Sequence, residues 1–184
     1  MAPRRDLMPQ SALAILVPEA EHLVAPFRER YDPSAAVCMP AHITLLYPFL
    51  APEVIDSAVI GKLTACIGQF AEFSFTLSAV ARFDPGVLYL APEPVDLFRR
   101  MTLAVWNDWP QTPPYGGRYT EIIPHLTVVE VGGAPLRERI AKDFAEPASR
   151  TLPIRARATA ATLLEKRDGK WRVYTAIPLK SRRA

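Results

Sequence analysis

Apolar positions along this chain switch between strand-like runs and helix-like spacing, and the whole cycle occurs twice. Ser11 to Val17 is a short apolar run ended by Pro18-Glu19, which predicts a strand followed by a helix. That helix runs roughly from Ala20 to Arg30. Pro26 should kink or shorten it, because proline removes a backbone donor. An apolar strand follows from Ile43 to Leu50. Ile55, Val59, Leu63, Cys66 and Phe70 then recur on one helical face, and a closing strand lies near Phe73–Phe83.

The second cycle starts at Leu88-Tyr89-Leu90-Ala91-Pro92-Glu93, which parallels Ala14-Ile15-Leu16-Val17-Pro18-Glu19. A helix from about Val95 to Trp109 carries Phe98, Met101, Val105 and Trp109 on one face. A strand from Leu126 to Val131 follows, then a helix marked by Leu136, Ile140 and Phe144. Strands near Ile154–Leu164 and Trp171–Leu179 end the pattern, with Asp168-Gly169 as a hairpin turn between them. Pro52 and Pro135 suit the first turn of a helix, where a missing N–H costs nothing. Thr112 to Arg118, rich in Pro and Gly, reads as a surface loop.

Two cycles are too few for a stacked array, so the pattern predicts a duplication within one fold. With 184 residues, the chain forms one domain (1–184) of two lobes, about 12–83 and 87–179, plus a basic tail at 180–184. A hydrophobic content of 49% excludes disorder. No apolar run approaches the ~20 residues of a membrane helix. Arg4-Arg5 before Ser11–Val17 only faintly imitates a signal peptide, so no membrane association and a cytoplasmic, monomeric protein are expected. Cys38 and Cys66 are too few for a disulfide scaffold, and reduced thiols are the default.

The net charge of +3 is unevenly spread. Ten of the 22 Lys/Arg lie between Arg150 and Ala184, with two of the 19 acids. A solvated face is the ordinary reading of such a run, and a phosphate-bearing partner the sharper one.

The chemistry concentrates in two triplets, His42-Ile43-Thr44 and His125-Leu126-Thr127, in a chain with three histidines. On a strand, residues i and i+2 share a face. Each triplet therefore presents an imidazole beside a hydroxyl. Two such strands side by side supply an acid–base pair and two neutral donors for an anion. In both, Ala-Pro falls nine and ten residues after the histidine. By the same alternation Tyr47 and Phe49 face away from His42 and read as core or rim. His22, with no partner motif, reads as a helix-surface residue. A metal site would need a further converging ligand, and no such spacing exists, so no metal or cofactor is expected.

These residues carry a family resemblance. Two His-x-Thr motifs half a chain apart in a duplicated α/β pattern resemble the 2H phosphoesterase superfamily. The run Pro40-Ala41-His42-Ile43-Thr44-Leu45-Leu46-Tyr47-Pro48-Phe49, with Ile123-Pro124-His125-Leu126-Thr127-Val128, is especially similar to its 2′-5′ RNA ligase family. The resemblance implies an α+β, bilobal, pseudo-twofold duplicated fold. Antiparallel-rich sheets would line a central cleft, with helices outside. It implies metal-independent action on 2′,3′-cyclic or 2′-5′ phosphodiester bonds of nucleotides or RNA. His42 and His125 would be the catalytic pair, and Thr44 and Thr127 would bind phosphate. For opening of a 2′,3′-cyclic phosphate to a 2′-phosphate, His125 would be the base. Many relatives carry an Arg shortly after the second motif; Val128-Val129-Glu130 stands here instead, and Arg118 or Arg155 is the expected substitute by position. Tyr115 and Tyr119 are candidates for covering the cleft and stacking a base. The alternatives are a non-catalytic RNA- or nucleotide-binding module, a 2′-5′ RNA ligase, and a 3′-end exonuclease.

Overall fold

A computed structural model describes residues 10–181. Arg4, Arg5, Arg182 and Arg183 lie outside the described residues. The described chain is a mixed α+β fold of two four-stranded antiparallel sheets and five α-helices. The first sheet has the order β2-β1-β7-β8, built from β2 (His42–Leu46), β1 (Gln10–Leu16), β7 (Ala160–Arg167) and β8 (Lys170–Pro178). The second has the order β5-β4-β3-β6, built from β5 (Leu126–Glu130), β4 (Val87–Glu93), β3 (Phe73–Phe83) and β6 (Ile154–Ala158). The two orders correspond position by position. In each, the strand carrying the histidine motif is an edge strand beside the first strand of its own sequence cycle.

The sheets do not divide where the sequence cycles do. β3, which closes the first cycle, pairs with β4 of the second. β7, from the end of the chain, pairs with β1, and β8 pairs with β7 to complete the first sheet. The single strand expected near Ile154–Leu164 is two strands in different sheets. Ile154, Ala156 and Ala158 are buried on β6, and Ala161 and Leu163 are buried on β7. The alternating burial of β6 ends at Thr159, where the chain crosses from one sheet to the other, and on β7 four successive residues, Ala161 to Leu164, are buried.

Helix α1 (Pro18–Tyr31) runs through Pro26 without ending. Pro26 and His22 both lie on the exposed side, so water can serve the carbonyl that proline leaves unpaired. A four-residue helix, α2 (Pro33–Ala36), follows and is capped by Asp32. Pro52 opens a separate 3-10 turn, and α3 (Ser57–Ile67) begins only after Asp56, whose side chain accepts from the Val59 N–H. Pro135 does sit in the first turn of α5 (Ala134–Thr151). Helix α4 (Asp96–Asp108) buries Phe98, Met101 and Val105 as its periodicity predicts.

One continuous core joins both sheets and the helices, from Leu13 and Ile43 to Leu88, Phe98 and Phe144. A smaller apolar cluster of Ala12, Ala14, Leu164 and Trp171 lies on the other face of the first sheet, roofed by Met39 and Val37. Cys38 and Cys66 are both free thiols. No described helix is long and apolar enough to cross a membrane.

Candidate active site

Both motif strands carry the same irregularity. In β2, Ile43 faces Ile15 and Thr44 faces Ala14, but Leu46 faces Leu13, so Leu45 is an extra residue. In β5, Leu126 faces Leu90 and Thr127 faces Tyr89, but Val129 faces Leu88, so Val128 is the extra one. Each β-bulge falls three residues after its histidine and reverses the alternation beyond it. Leu45 and Leu46 are therefore both buried, as are Val128 and Val129. The reversal returns Tyr47 and Glu130 to the faces of His42 and His125. Strict alternation places Tyr47 opposite His42, and the bulge corrects that. Its hydroxyl donates to Gln10 Oε1 at 2.7 Å, and its ring packs edge-on against Trp171. Phe49 is core, as expected, against Trp109.

The two imidazoles are anchored alike. His42 Nδ1 lies 2.8 Å from the Pro40 carbonyl, and His125 Nδ1 lies 2.7 Å from the Ile123 carbonyl. A carbonyl only accepts, so each Nδ1 carries a hydrogen and donates it. In the neutral ring, Nε2 is then the free, unprotonated nitrogen. The segment before His42 is tied to α1: the Ala41 N–H donates to Glu21 Oε1, and the Val17 N–H donates to the Ala41 carbonyl.

Burial holds both imidazoles towards their neutral forms. His42 is pushed down to about 4, first by desolvation and further by the Arg28 guanidinium and by charge on His125, against the opposing pull of its Pro40 hydrogen bond and Asp32. His125 is lowered by burial, with the Ile123 hydrogen bond opposing. Charge on one imidazole thus disfavours charge on the other, which links the two motifs electrostatically.

Around His125 the walls are aromatic. Phe83 and Tyr89 both meet it edge-on, at 5.0 and 5.4 Å between ring centres, and stack on each other at 4.2 Å. Tyr115 lies nearly parallel to the imidazole at 6.3 Å, with an interplanar angle of 22°. Its hydroxyl is hydrogen-bonded to that of Thr44, so this one side chain spans both motifs. Burial pushes its phenol up to about 12, which keeps the proton on. The Tyr115 N–H donates to the Tyr47 carbonyl at 2.6 Å. Tyr115 has φ +52°, followed by Gly116 at +65° and Gly117 at +76°. A non-glycine residue held in this left-handed region costs roughly 1–3 kcal/mol and tends to mark functional sites.

The remaining residues singled out from sequence fall elsewhere. Tyr119 packs edge-on against Tyr115 but is 67% exposed. Arg118 is exposed on the loop. Arg155 lines a separate cavity of about 430 Å³ with Arg157, Ser74, Thr76, Glu19 and Glu93, and none of the four motif residues borders it. The cation near His42 is instead Arg28 of α1, which sequence reading passes over. It is 2% exposed, with Nε donating to Asp32 Oδ2 at 3.0 Å and one terminal nitrogen donating to the Met39 carbonyl and to Ser34 Oγ. Glu130, three residues after Thr127, is pushed up by burial and by Asp32. Phe83 and Tyr89 are also missed as site residues. Their only sequence signal is membership of the strands that pair beside the second motif. Among the described residues, no three His, Cys, Asp or Glu side chains are grouped to hold a metal ion.

Two corresponding sheets, each with a motif histidine at its edge strand, are consistent with a 2H phosphoesterase. Within that class the chain belongs to the 2′-5′ RNA ligase superfamily, whose family model matches residues 16–170. No curated protein matches the sequence. Among solved structures, Escherichia coli LigT complexed with 3′-AMP superposes with a TM-score of 0.58 at 16% identity, covering 93% of this chain and 98% of that one. A structure described as a phosphoesterase gives 0.57 at 15% identity, covering 94% and 99%. A Thermus thermophilus protein gives 0.54 at 18% identity, covering 95% and 100%. At these identities the likeness establishes the fold.

Proposed function

We propose that this protein is a metal-independent phosphodiesterase that opens 2′,3′-cyclic phosphates, or cleaves 2′-5′ linkages, in nucleotides or RNA. The matched anchoring of His42 and His125 carries this reading. Each ring spends Nδ1 on a carbonyl two residues back and keeps Nε2 for substrate. Nucleotide binding by a protein of the same fold, LigT with 3′-AMP, agrees with it.

Hydrolysis requires water to lose a proton as it attacks phosphorus, and the leaving ribose oxygen to gain one. A neutral Nε2 accepts the first proton, and a protonated imidazole donates the second. Arg28 and charge on His125 both oppose a proton on His42. His42 is therefore the base and His125 the acid, the reverse of the sequence expectation. An arriving phosphate raises both imidazoles and supplies the driving force for protonating His125. Thr44 and Thr127 hydroxyls hold the non-bridging oxygens. Substrate is thus a cyclic phosphodiester on a nucleotide or RNA end, without a resident cofactor.

The test is turnover in EDTA of 2′,3′-cyclic mononucleotides, ADP-ribose 1″,2″-cyclic phosphate and RNA ending in a cyclic phosphate. His42→Ala and His125→Ala should each cost about 10²–10⁴-fold in rate. A panel left untouched by well-folded protein sinks the proposal.

A further inference from the structure

The residues that follow the second motif, Val128-Val129-Glu130, bring no cation to the site. Arg118 is exposed, Arg155 lines another cavity, and Arg28 is committed to Asp32, Ser34 and Met39. None of these three arginines is free to meet a phosphoryl group between the histidines, so hydroxyls are the donors at hand beside the imidazoles. Thr44 and Thr127 are two. Tyr115 is the remaining polar side chain that bridges the motifs: its ring lies over His125 and its hydroxyl touches Thr44.

We propose that Tyr115 is a catalytic residue whose hydroxyl joins those of Thr44 and Thr127 on the phosphoryl oxygens. The proposal rests on the phosphodiesterase reading above and assigns a third neutral donor to the anion. Three features support it. Tyr115 sits at positive φ, at the head of a run of three left-handed residues, with buried Pro114 before it and exposed Gly116 to Tyr119 after it. Its N–H is bonded to the Tyr47 carbonyl, so the loop is docked on the first motif strand. Tyr119, the other tyrosine of this region, packs on the outside of Tyr115 and supports it. A neutral phenol has a single hydrogen to give, and the Thr44 oxygen beside it can rotate its own hydrogen towards the anion. The Tyr115 pair with Thr44 in the free protein thus becomes two donors on one phosphate. This role differs from stacking a base, because it uses the Tyr115 hydroxyl and not the ring.

The experiment compares Tyr115→Phe, Tyr115→Ala, His42→Ala and His125→Ala with the unaltered protein on whichever cyclic phosphate the panel identifies. Thermal melts run alongside. Phe keeps the ring over His125 and removes only the hydroxyl. Loss of a preorganised donor is expected to lower kcat by about 10²–10³-fold. The melt should hold, and both limbs of the pH profile should stay in place. Rates for Tyr115→Phe within threefold of the unaltered protein, with both histidine variants inactive, overturn the proposal while leaving the phosphodiesterase reading intact. Faster turnover by Tyr115→Phe also overturns it, since the hydroxyl would then be blocking Thr44. Loss confined to Tyr115→Ala makes the ring a packing element and overturns it as well. Absence of turnover by the unaltered protein overturns both.

Discussion

The two halves of the site share a backbone and differ in what surrounds it. His42 and His125 have the same carbonyl anchor, the same hydroxyl two residues on and the same bulge three residues on. Around His42 the neighbours are charged: Arg28 and Asp32 lie behind it, and Glu21 holds the Ala41 N–H. Around His125 they are aromatic: Phe83, Tyr89 and Tyr115. Duplication supplies the placement of two imidazoles. The surroundings then make one a poor proton holder and give the other a packed cage. Acid–base chemistry needs two groups in different protonation states, so this asymmetry is what a symmetric fold has to add.

The largest effect on this contrast should come from Arg28→Met. It leaves the buried Asp32 with Ser34 but without its charged partner, and breaking a buried ion pair typically costs about 3–5 kcal/mol. Denaturant melts should show that loss. In whatever protein stays folded, the His42 limb of the pH profile should move upward while the His125 limb stays. Equal movement of both limbs would contradict the division into a charged and an aromatic half.

Acid should separate the halves next. His42 in the folded protein titrates near 4 against an ordinary value of 6.5. The unfolded chain therefore binds the proton first as pH falls. Stability is complete above about 6.5 and is lost progressively down to about 4, by up to about 3 kcal/mol at 1.36 kcal/mol per pKa unit. Equilibrium unfolding at pH 7 and pH 5 reads this directly, and His42→Asn should flatten the difference. Because phosphate binding raises the imidazoles, calorimetry in two buffers should also detect proton uptake on binding. A smaller effect is expected from Glu130→Gln. Removing a carboxyl from the cleft face should tighten binding of inorganic phosphate by three- to tenfold, about 1 kcal/mol. Unchanged affinity would place Glu130 outside the reach of the anion.

Much of this is legible in the sequence. The duplication, the paired triplets and the helix faces of α4 and α5 follow from spacing alone, whereas Ile55 and Phe70, expected on the face of α3, lie outside that helix. What escapes depends on partners in space. A bulge exists only relative to the strand opposite, so alternation alone puts Tyr47 on the wrong face. Arg28 sits in an ordinary-looking helix pattern, and its burial comes from Asp32, Ser34 and the Met39 carbonyl closing over it. The crossing at Thr159 leaves one trace, the change from the alternating burial of β6 to four successive buried residues on β7, which reads as noise until the sheets are known. The left-handed backbone at Tyr115 has Gly116 and Gly117 beside it as its only hint.

The exchange of strands between the sheets bears on how the chain reaches this structure. The repeat visible in the sequence is not a unit that folds. Severed between its cycles, the first stretch would hold β1 and β2 with no β7 to pair with, and β3 with no β4. Gln10 must wait for Lys166 before its ladder can form. On a ribosome, the emerging first cycle would carry unpaired strand edges until nearly the whole chain had been made. Pairings this distant slow folding and expose those edges to other chains. The same interlock makes the finished domain cooperative: loosening one lobe takes strands from the other, and the two histidines keep or lose their setting together.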